Sequence, residues 1–301
     1  MSGEHLAFSQ QFPGRATRWR LRTRTLDLPR RPLLMGIVNV TPDSFSDGGL
    51  FADPSAAIDH ALGLVEQGAD LLDIGGESTR PYSEPVSADE ELLRVEHVVR
   101  EVCRQVSVPV SIDTSKARVA EAALAAGAEI VNDITALAGD PAMVEVIRNS
   151  GAGVCVMHMQ GTPQTMQDDP RYDDVVAEIG EFLRGRRDWL IDQGIAAERI
   201  CLDPGIGFGK TNQHNLTMMA HCDAYHALGC PLLVGHSRKR FLTKLLGGDE
   251  ALRDAGTIGA AIALANQGVQ IVRVHAVDQV RAALRLYEAA GGLDGREATI
   301  E

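Results

Sequence analysis

Short apolar runs recur along the chain at residues 34–40, 71–74, 108–112, 130–132, 153–157, 200–202, 231–234 and 270–274, each closed by polar or small residues. The stretches between them, 54–67, 88–105, 116–126, 141–150, 175–193, 215–228, 255–267 and 277–289, carry the apolar spacing of helices with one buried face. Gly68, Gly127, Gly151, Gly194, Gly229 and Gly268 follow six of these helix ends, where a left-handed cap residue without a Cβ is unstrained. Strict alternation of strand and helix implies parallel pairing with right-handed crossovers. Closure of eight such units removes both sheet edges, so a barrel is favoured over an open sheet. The expected fold class is α/β, an eight-stranded parallel (β/α) TIM barrel spanning 32–301.

Residues 1–31 precede the barrel as an extension. Arg15, Arg18, Arg20, Arg22 and Arg24 leave a transit peptide open, but the alternation over 21–28 favours a small hairpin that closes the barrel bottom. The length of 301 residues suits one barrel of about 250 residues plus that extension. With 45% hydrophobic but only 4% aromatic residues, the core must be built from aliphatic side chains, as in parallel strands covered by helices. A net charge of -12 repels polyanions, so nucleic acid is not an expected partner. No apolar stretch reaches the roughly 20 residues of a membrane span, and no secretory core is visible at the N-terminus. The five cysteines fall in no metal or redox spacing; with Cys155 and Cys201 inside apolar runs, they are expected as buried thiols in a reducing cytoplasm.

The chemistry gathers where the apolar runs end. Asn39, Asp73, Asp113, Asn132, Met157, His158, Asp203, Ser237, Lys239, Arg273 and His275 stand at or just past the strand exits. A single such residue is as readily a satisfied structural group, but polar side chains at nearly every exit converge on one mouth and point to a ligand. Asp113, Asn132 and Asp203 match the donors and acceptors of a flat heterocycle with an amino-pyrimidinone edge. Lys239, Arg273, His275, Asn39 and Arg80 suit an anion, for which the last strands of barrels are a recurrent site. The run 237–240 lies directly after a strand, where a helix N-terminus would add to anion binding. The longest irregular stretches, 41–53, 75–87 and 159–174, follow strand exits, where barrel enzymes place substrate-handling loops.

Seven segments together resemble dihydropteroate synthase: Met35-Gly-Ile-Val-Asn-Val-Thr-Pro-Asp-Ser-Phe-Ser-Asp-Gly-Gly49, Asp73-Ile-Gly-Gly-Glu-Ser-Thr-Arg-Pro81, Ser111-Ile-Asp-Thr114, Val131-Asn-Asp133, Met157-His-Met-Gln-Gly161, Leu202-Asp-Pro-Gly-Ile-Gly-Phe-Gly-Lys-Thr211 and Ser237-Arg-Lys-Arg-Phe241. The resemblance runs from about residue 33 to residue 288. It implies an enzyme joining 6-hydroxymethyl-7,8-dihydropterin pyrophosphate to p-aminobenzoate, with release of pyrophosphate, and inhibited by sulfonamides. Carried over by position, it implies pterin binding by Asp113, Asn132, Met157, Asp203 and Lys239, and pyrophosphate binding by Asn39, Thr79, Arg80, Arg273 and His275, with Mg²⁺ near Asn39. Aminobenzoate is expected at Phe45, Pro81, Phe208, Ser237 and Lys239. Catalysis is expected from Asp113, Asp203 and Lys239, with Asp43 organising the closed loops. A homodimer through the last helices is also implied, with Ala260, Ala261 and Ala263 as candidate packing positions.

Two positions depart from the family pattern. Ala276 follows His275 where the family usually has Asp, and His236 stands where a smaller or apolar residue is common. Three other readings compete. A metal-dependent hydrolase would use His158, His236, His275 and Asp203, but the first strand offers Asn39 rather than a histidine pair. A pterin-dependent methyltransferase would have no need of Arg80 or of 237–239. A non-catalytic pterin-binding paralogue should have lost members of the ring, which here is nearly complete.

Overall fold

The computed structural model describes residues 11–41, 53–247 and 249–295. β1 (Arg18–Arg20) and β2 (Thr25–Asp27) form an antiparallel hairpin. Eight parallel strands follow: β3 (Leu33–Asn39), β4 (Leu71–Gly75), β5 (Val110–Asp113), β6 (Ile130–Asp133), β7 (Gly153–Met157), β8 (Ile200–Asp203), β9 (Leu233–Gly235) and β10 (Ile271–Val274). They pair in the order β8-β7-β6-β5-β4-β3-β10-β9. A single parallel bridge between Leu202 and Leu232, with the Leu202 N–H donating to the Pro231 carbonyl at 2.9 Å, closes the circle.

The helices covering this sheet are α1 (Pro54–Glu66), α2 (Ala88–Gln105), α3 (Ala117–Ala126), α4 (Met143–Ser150), α5 (Val175–Asp192), α6 (Asn212–Ala220), α7 (Arg240–Leu246), α8 (Glu250–Asn266) and α9 (Val277–Ala289). All six of the glycines read as helix caps have positive φ. Two helical readings needed revision. The stretch 215–228 divides into α6 and a 3-10 turn at Cys222–Leu228, and α6 begins earlier because Thr211 and His214 form a reciprocal cap. Helix α8 begins at Glu250, earlier than the expected 255, and the helix start weighed at 237–240 is realised as the short α7.

Strand alternation sorts the core into two sets. Leu34, Val38, Leu72, Ile74, Val131, Val154 and Val272 pack outward against the helices. Met35, Leu71, Ile130, Cys155, Cys201, Leu233 and Ile271 point inward and cluster with Trp19, Leu21 and Leu28. The hairpin therefore plugs the N-terminal end of the barrel. The alternation over 21–28 is interrupted there: Leu21 donates to the Arg24 carbonyl, and Thr23 is held by the Glu129 carboxylate through its N–H and hydroxyl.

Trp19 is fully buried in that plug, and its Nε1 donates to the Arg199 carbonyl at 2.9 Å. Trp19→Ala is expected to lower unfolding free energy by about 3–5 kcal/mol, from the cavity and the orphaned carbonyl together. Urea titration of the variant measures it, and a loss well under 1 kcal/mol would mean that the hairpin does not carry the barrel floor. At the last helices, the small residues considered for a subunit contact belong mostly to the core. Ala260 and Ala261 are buried on the barrel-facing side of α8, and only Ala263 is exposed.

Candidate active site

Two residues beyond the apolar floor, on the same inward faces, the side chains become polar. Leu71 is succeeded by Asp73, Ile130 by Asn132, Cys201 by Asp203 and Ile271 by Arg273, so one step of strand period converts a core layer into a binding layer. Arg273 stands at its centre. Its Nε donates to Asp73 Oδ2 at 2.5 Å and its Nη2 to Asp113 Oδ2 at 2.9 Å, while the Asn132 amide donates to the same Asp73 oxygen at 3.0 Å. Sequence reasoning placed Asp73 in the ring without assigning it a partner, yet it is the hub. Its signals were its place at the exit of the 71–74 run and at the head of the 73–81 segment. Arg273, read as an anion group, is also tied to the Asp73 and Asp113 carboxylates, so the heterocycle and anion groups of the ring adjoin one another.

Asp203, Lys239 and the loop after β8 form the second half. Asp203 Oδ1 accepts from the Gly205 N–H at 2.7 Å. A Cβ on Gly205 would lie 1.9 Å from the His158 carbonyl oxygen, so only glycine lets the loop approach β7 this closely. Lys239 Nζ lies 4.4 Å from the centroid of the Phe208 ring and donates to the Ile206 carbonyl. Met157 is buried at the exit of β7. Asp113, Asn132, Asp203, Lys239 and Arg273 thus meet at the C-terminal end of the barrel, with the charges of Lys239 and Arg273 both acting on Asp203.

The remaining assigned residues ring this layer. Asn39 closes β3 beside Gly75. Thr79, Arg80 and Pro81 lie in the loop after β4, and Arg80 is near enough for its charge to act on His275. Ser237 Oγ bonds His275 Nδ1 at 2.9 Å, which supplies the support that Ala276 does not give. Arg238 has φ of 56° and its guanidinium is held by Asp254 at 2.7 and 2.9 Å. The anion reading of 237–240 therefore rests on Lys239, since α7 is only 7 residues long. His236 is buried and bonded to the Thr257 carbonyl at 3.0 Å, tying β9 to α8. His158 meets Lys210 Nζ at 3.0 Å. The histidines of the hydrolase reading thus have separate partners. Asp43 and Phe45 lie outside the described residues.

Burial governs the ionisation of the ring. Burial and the neighbouring Asp73 charge push Asp113 up to about 7, against the pull of Arg273. Burial raises Asp203 as well, opposed by Lys239 and the Gly205 N–H. Burial lowers Lys239 to about 8, opposed by Asp203. Burial and then the surrounding arginines lower His275 to about 3, so it is neutral at pH 7 and meets any anion as a hydrogen-bond partner.

Asp113 binds its proton more tightly folded than unfolded, so its favourable contribution to stability is lost as the pH rises through about 7. Lys239 binds its proton less tightly folded, so its contribution is lost as the pH falls through about 8. Between those values both groups are charged. The expected result is a bell-shaped kcat/KM with limbs near 7 and 8, over the window in which this pair stabilises the ligand-free protein least. A pH-rate profile flat across neutrality would contradict it.

A model of the family described as pterin binding enzyme matches residues 35–275. The dihydropteroate synthase of Neisseria meningitidis serogroup C is 48% identical over 265 residues, covering 87% of this chain and 93% of its own. The Yersinia pestis dihydropteroate synthase, solved with a sulfonamide drug complex, superposes with TM-score 0.86 at 44% identity, covering 91% of this chain and 98% of its own. The Xanthomonas albilineans enzyme in complex with 7,8-dihydropteroate superposes with TM-score 0.82 at 42% identity, with the same coverage.

Proposed function

The chain belongs to the pterin-binding enzymes, among the dihydropteroate synthases, and on that premise we propose how its barrel mouth works. It is a transferase of folate biosynthesis that condenses 6-hydroxymethyl-7,8-dihydropterin pyrophosphate with p-aminobenzoate, giving 7,8-dihydropteroate and pyrophosphate. The observation that carries the residue roles is the meeting of Asp113, Asn132, Asp203 and Lys239 with Arg273 at one barrel end.

The pterin lies flat over Met157, with its N–H groups donating to the Asp113 and Asp203 carboxylates and its edge paired with the Asn132 amide. Arg273 sits beneath as the counter-charge that keeps the carboxylates apart in function though close in space. The diphosphate extends towards Asn39, Thr79, Arg80, Arg273 and His275. Among the described residues no three of His, Cys, Asp and Glu gather as a metal cage. The Asn39 amide oxygen at the end of β3 nevertheless fits Mg²⁺, which takes oxygen ligands and draws most of them from water and substrate phosphates. When bound there, the ion would supply charge neutralisation of the departing diphosphate.

We favour a dissociative order. The bond between the exocyclic methylene carbon and the diphosphate oxygen breaks, and its electron pair leaves with the diphosphate under the cations of Arg80 and Arg273. The resulting cation is delocalised into the pterin ring, where ionised Asp113 and Asp203 stabilise it. The aniline nitrogen then forms the new carbon-nitrogen bond and gives up a proton. Aminobenzoate rests against Phe208 and Pro81 with Ser237 and Lys239 at its carboxylate, and Phe45 and Asp43 belong to the loop expected to close over it. Exclusion of water by that closure protects the cation from hydrolysis. Sulfonamides compete at the same position.

The test is pyrophosphate release with each substrate alone and with both. Release that depends on both, with dihydropteroate formed in equal amount, is expected; release without aminobenzoate would identify a hydrolase instead. A cytoplasmic location is part of the proposal, supported by five free cysteines. So is a homodimer through the last helices, where Leu245, Leu246, Leu252 and Leu286 are exposed. Sedimentation equilibrium reporting monomer alone would overturn the latter.

A further inference from the structure

We propose that Lys116 is a positioning residue, whose ammonium fixes the root of the loop carrying Thr79 and Arg80 and so sets where those groups meet the diphosphate. The proposal rests on the assignment of Arg80 to the diphosphate, and goes beyond it by naming what holds Arg80 in place.

Lys116 lies just beyond β5, three positions after Asp113, and its Nζ bonds Glu77 Oε2 and Glu91 Oε2 at 2.6 Å each. Glu77 is the first residue of the loop after Gly76. Its other oxygen, Oε1, accepts the Val86 N–H at 2.9 Å, so one carboxylate ties both ends of the 77–86 loop together. Inside that closed loop, the Ser83 hydroxyl donates to the Ser78 carbonyl at 2.5 Å and the Ser83 N–H to the Arg80 carbonyl at 3.1 Å. The loop is thus a small ring of bonds with Arg80 inside it, and Lys116 grips the closing carboxylate.

Two further contacts hold the same root. Arg94 Nη1 donates to the Gly76 carbonyl at 2.7 Å. A Cβ on Gly76 would stand 2.7 Å from Val95 Cγ1 and 3.0 Å from Glu91 Cγ, so the loop start is pressed directly onto α2. Glu91 is fully buried on that helix, and its Oε1 has no partner. A buried carboxylate of this kind is tolerated only while its counter-ion is present, which makes Lys116 costly to remove. On its own side, Lys116 is anchored near the pterin residues: its N–H donates to Thr114 Oγ1 at 3.2 Å, and the Thr114 N–H donates to the Asn132 carbonyl at 3.0 Å. Lys116 therefore joins the frame of Asp113 and Asn132 to the frame of Arg80. Neither end of that connection needs it for substrate contact, since its ammonium is already shared by two carboxylates.

The test compares Lys116→Met, Lys116→Arg, Glu77→Ala and Arg80→Ala. Glu77→Ala is the milder probe, because Lys116 stays paired with Glu91 and the buried charge remains balanced. The readouts are KM and kcat for the pterin diphosphate, and calorimetric binding of inorganic pyrophosphate and of 6-hydroxymethylpterin, which lacks the diphosphate. The expected result is a loss on the order of tenfold in pyrophosphate affinity and a matching rise in KM for Lys116→Met and Glu77→Ala, with binding of the diphosphate-free pterin unchanged and Lys116→Arg near wild type. Combined with Arg80→Ala, neither variant should add a further loss, because both act through that residue. Folded Glu77→Ala with wild-type pyrophosphate affinity overturns the proposal, as does equal weakening of both ligands. If Arg80→Ala leaves pyrophosphate binding intact, the assignment of Arg80 falls and the proposal with it; if Arg80→Ala loses binding while Glu77→Ala does not, only the positioning role falls.

Discussion

Replacing Arg273 by Met is expected to cost about 3–5 kcal/mol of stability and most of the pterin affinity, because it leaves two carboxylates facing each other in the barrel interior. The side chain of Asp73 is fully buried and that of Asp113 is 14% exposed, so neither has enough water to replace the guanidinium. Asp73 Oδ1 already lacks a partner, and Asn132 alone would remain on Oδ2. The charge of Arg273 is also what opposes the rise of Asp113, which without it shifts further above about 7. Protonation then relieves the repulsion, so the destabilisation should be largest above neutrality and smaller in acid. Urea titrations of the wild type and Arg273→Met at several pH values measure this directly. A variant as stable as the wild type across the range would mean that the ring is not held by its central cation.

How this ring was and was not legible follows from what a linear sequence encodes. Strand alternation is local, so the runs beginning near Leu71, Ile130, Cys201 and Ile271 revealed both the barrel and the residues two steps on that line its mouth. Partnership is not local. Arg273 and Asp73 are 200 positions apart, and nothing in either segment records that their strands lie one strand from each other across β3. The same limit hid the capture of Arg238 by Asp254 and the bond between Ser237 and His275, each of which changes what the side chain has left to offer a ligand. Ala260 and Ala261 were misread for a different reason. Alanine is equally at home on a packed and an exposed helix face, so its presence carries no direction. Motif likeness supplied residue roles that spacing alone left open, such as the separation of pterin from aminobenzoate ligands.

Lys239→Ala is expected to lower kcat/KM by about a hundredfold to a thousandfold, the scale on which a single charge aimed at a reacting centre contributes. Three observations make this side chain hard to replace. Its Nζ lies over Phe208, it is the largest opposing influence on the raised Asp203, and its stem passes so close to Gly207 that a Cβ there would stand 2.8 Å from Lys239 Cδ. The slot therefore fits a narrow ammonium. A guanidinium is broader and planar, so Lys239→Arg should recover only a small part of the loss. Because Lys239 is assigned to both substrates, the signature should be double: weaker binding of 6-hydroxymethylpterin and weaker binding of p-aminobenzoate, each measured by calorimetry. Removing the cation also leaves Asp203 buried without its main counter-charge, so its carboxyl should titrate higher, and the alkaline limb of the rate profile near 8, which Lys239 itself supplies, should disappear. An Ala variant that bound one substrate normally would confine Lys239 to the other and break the link between the two halves of the mouth.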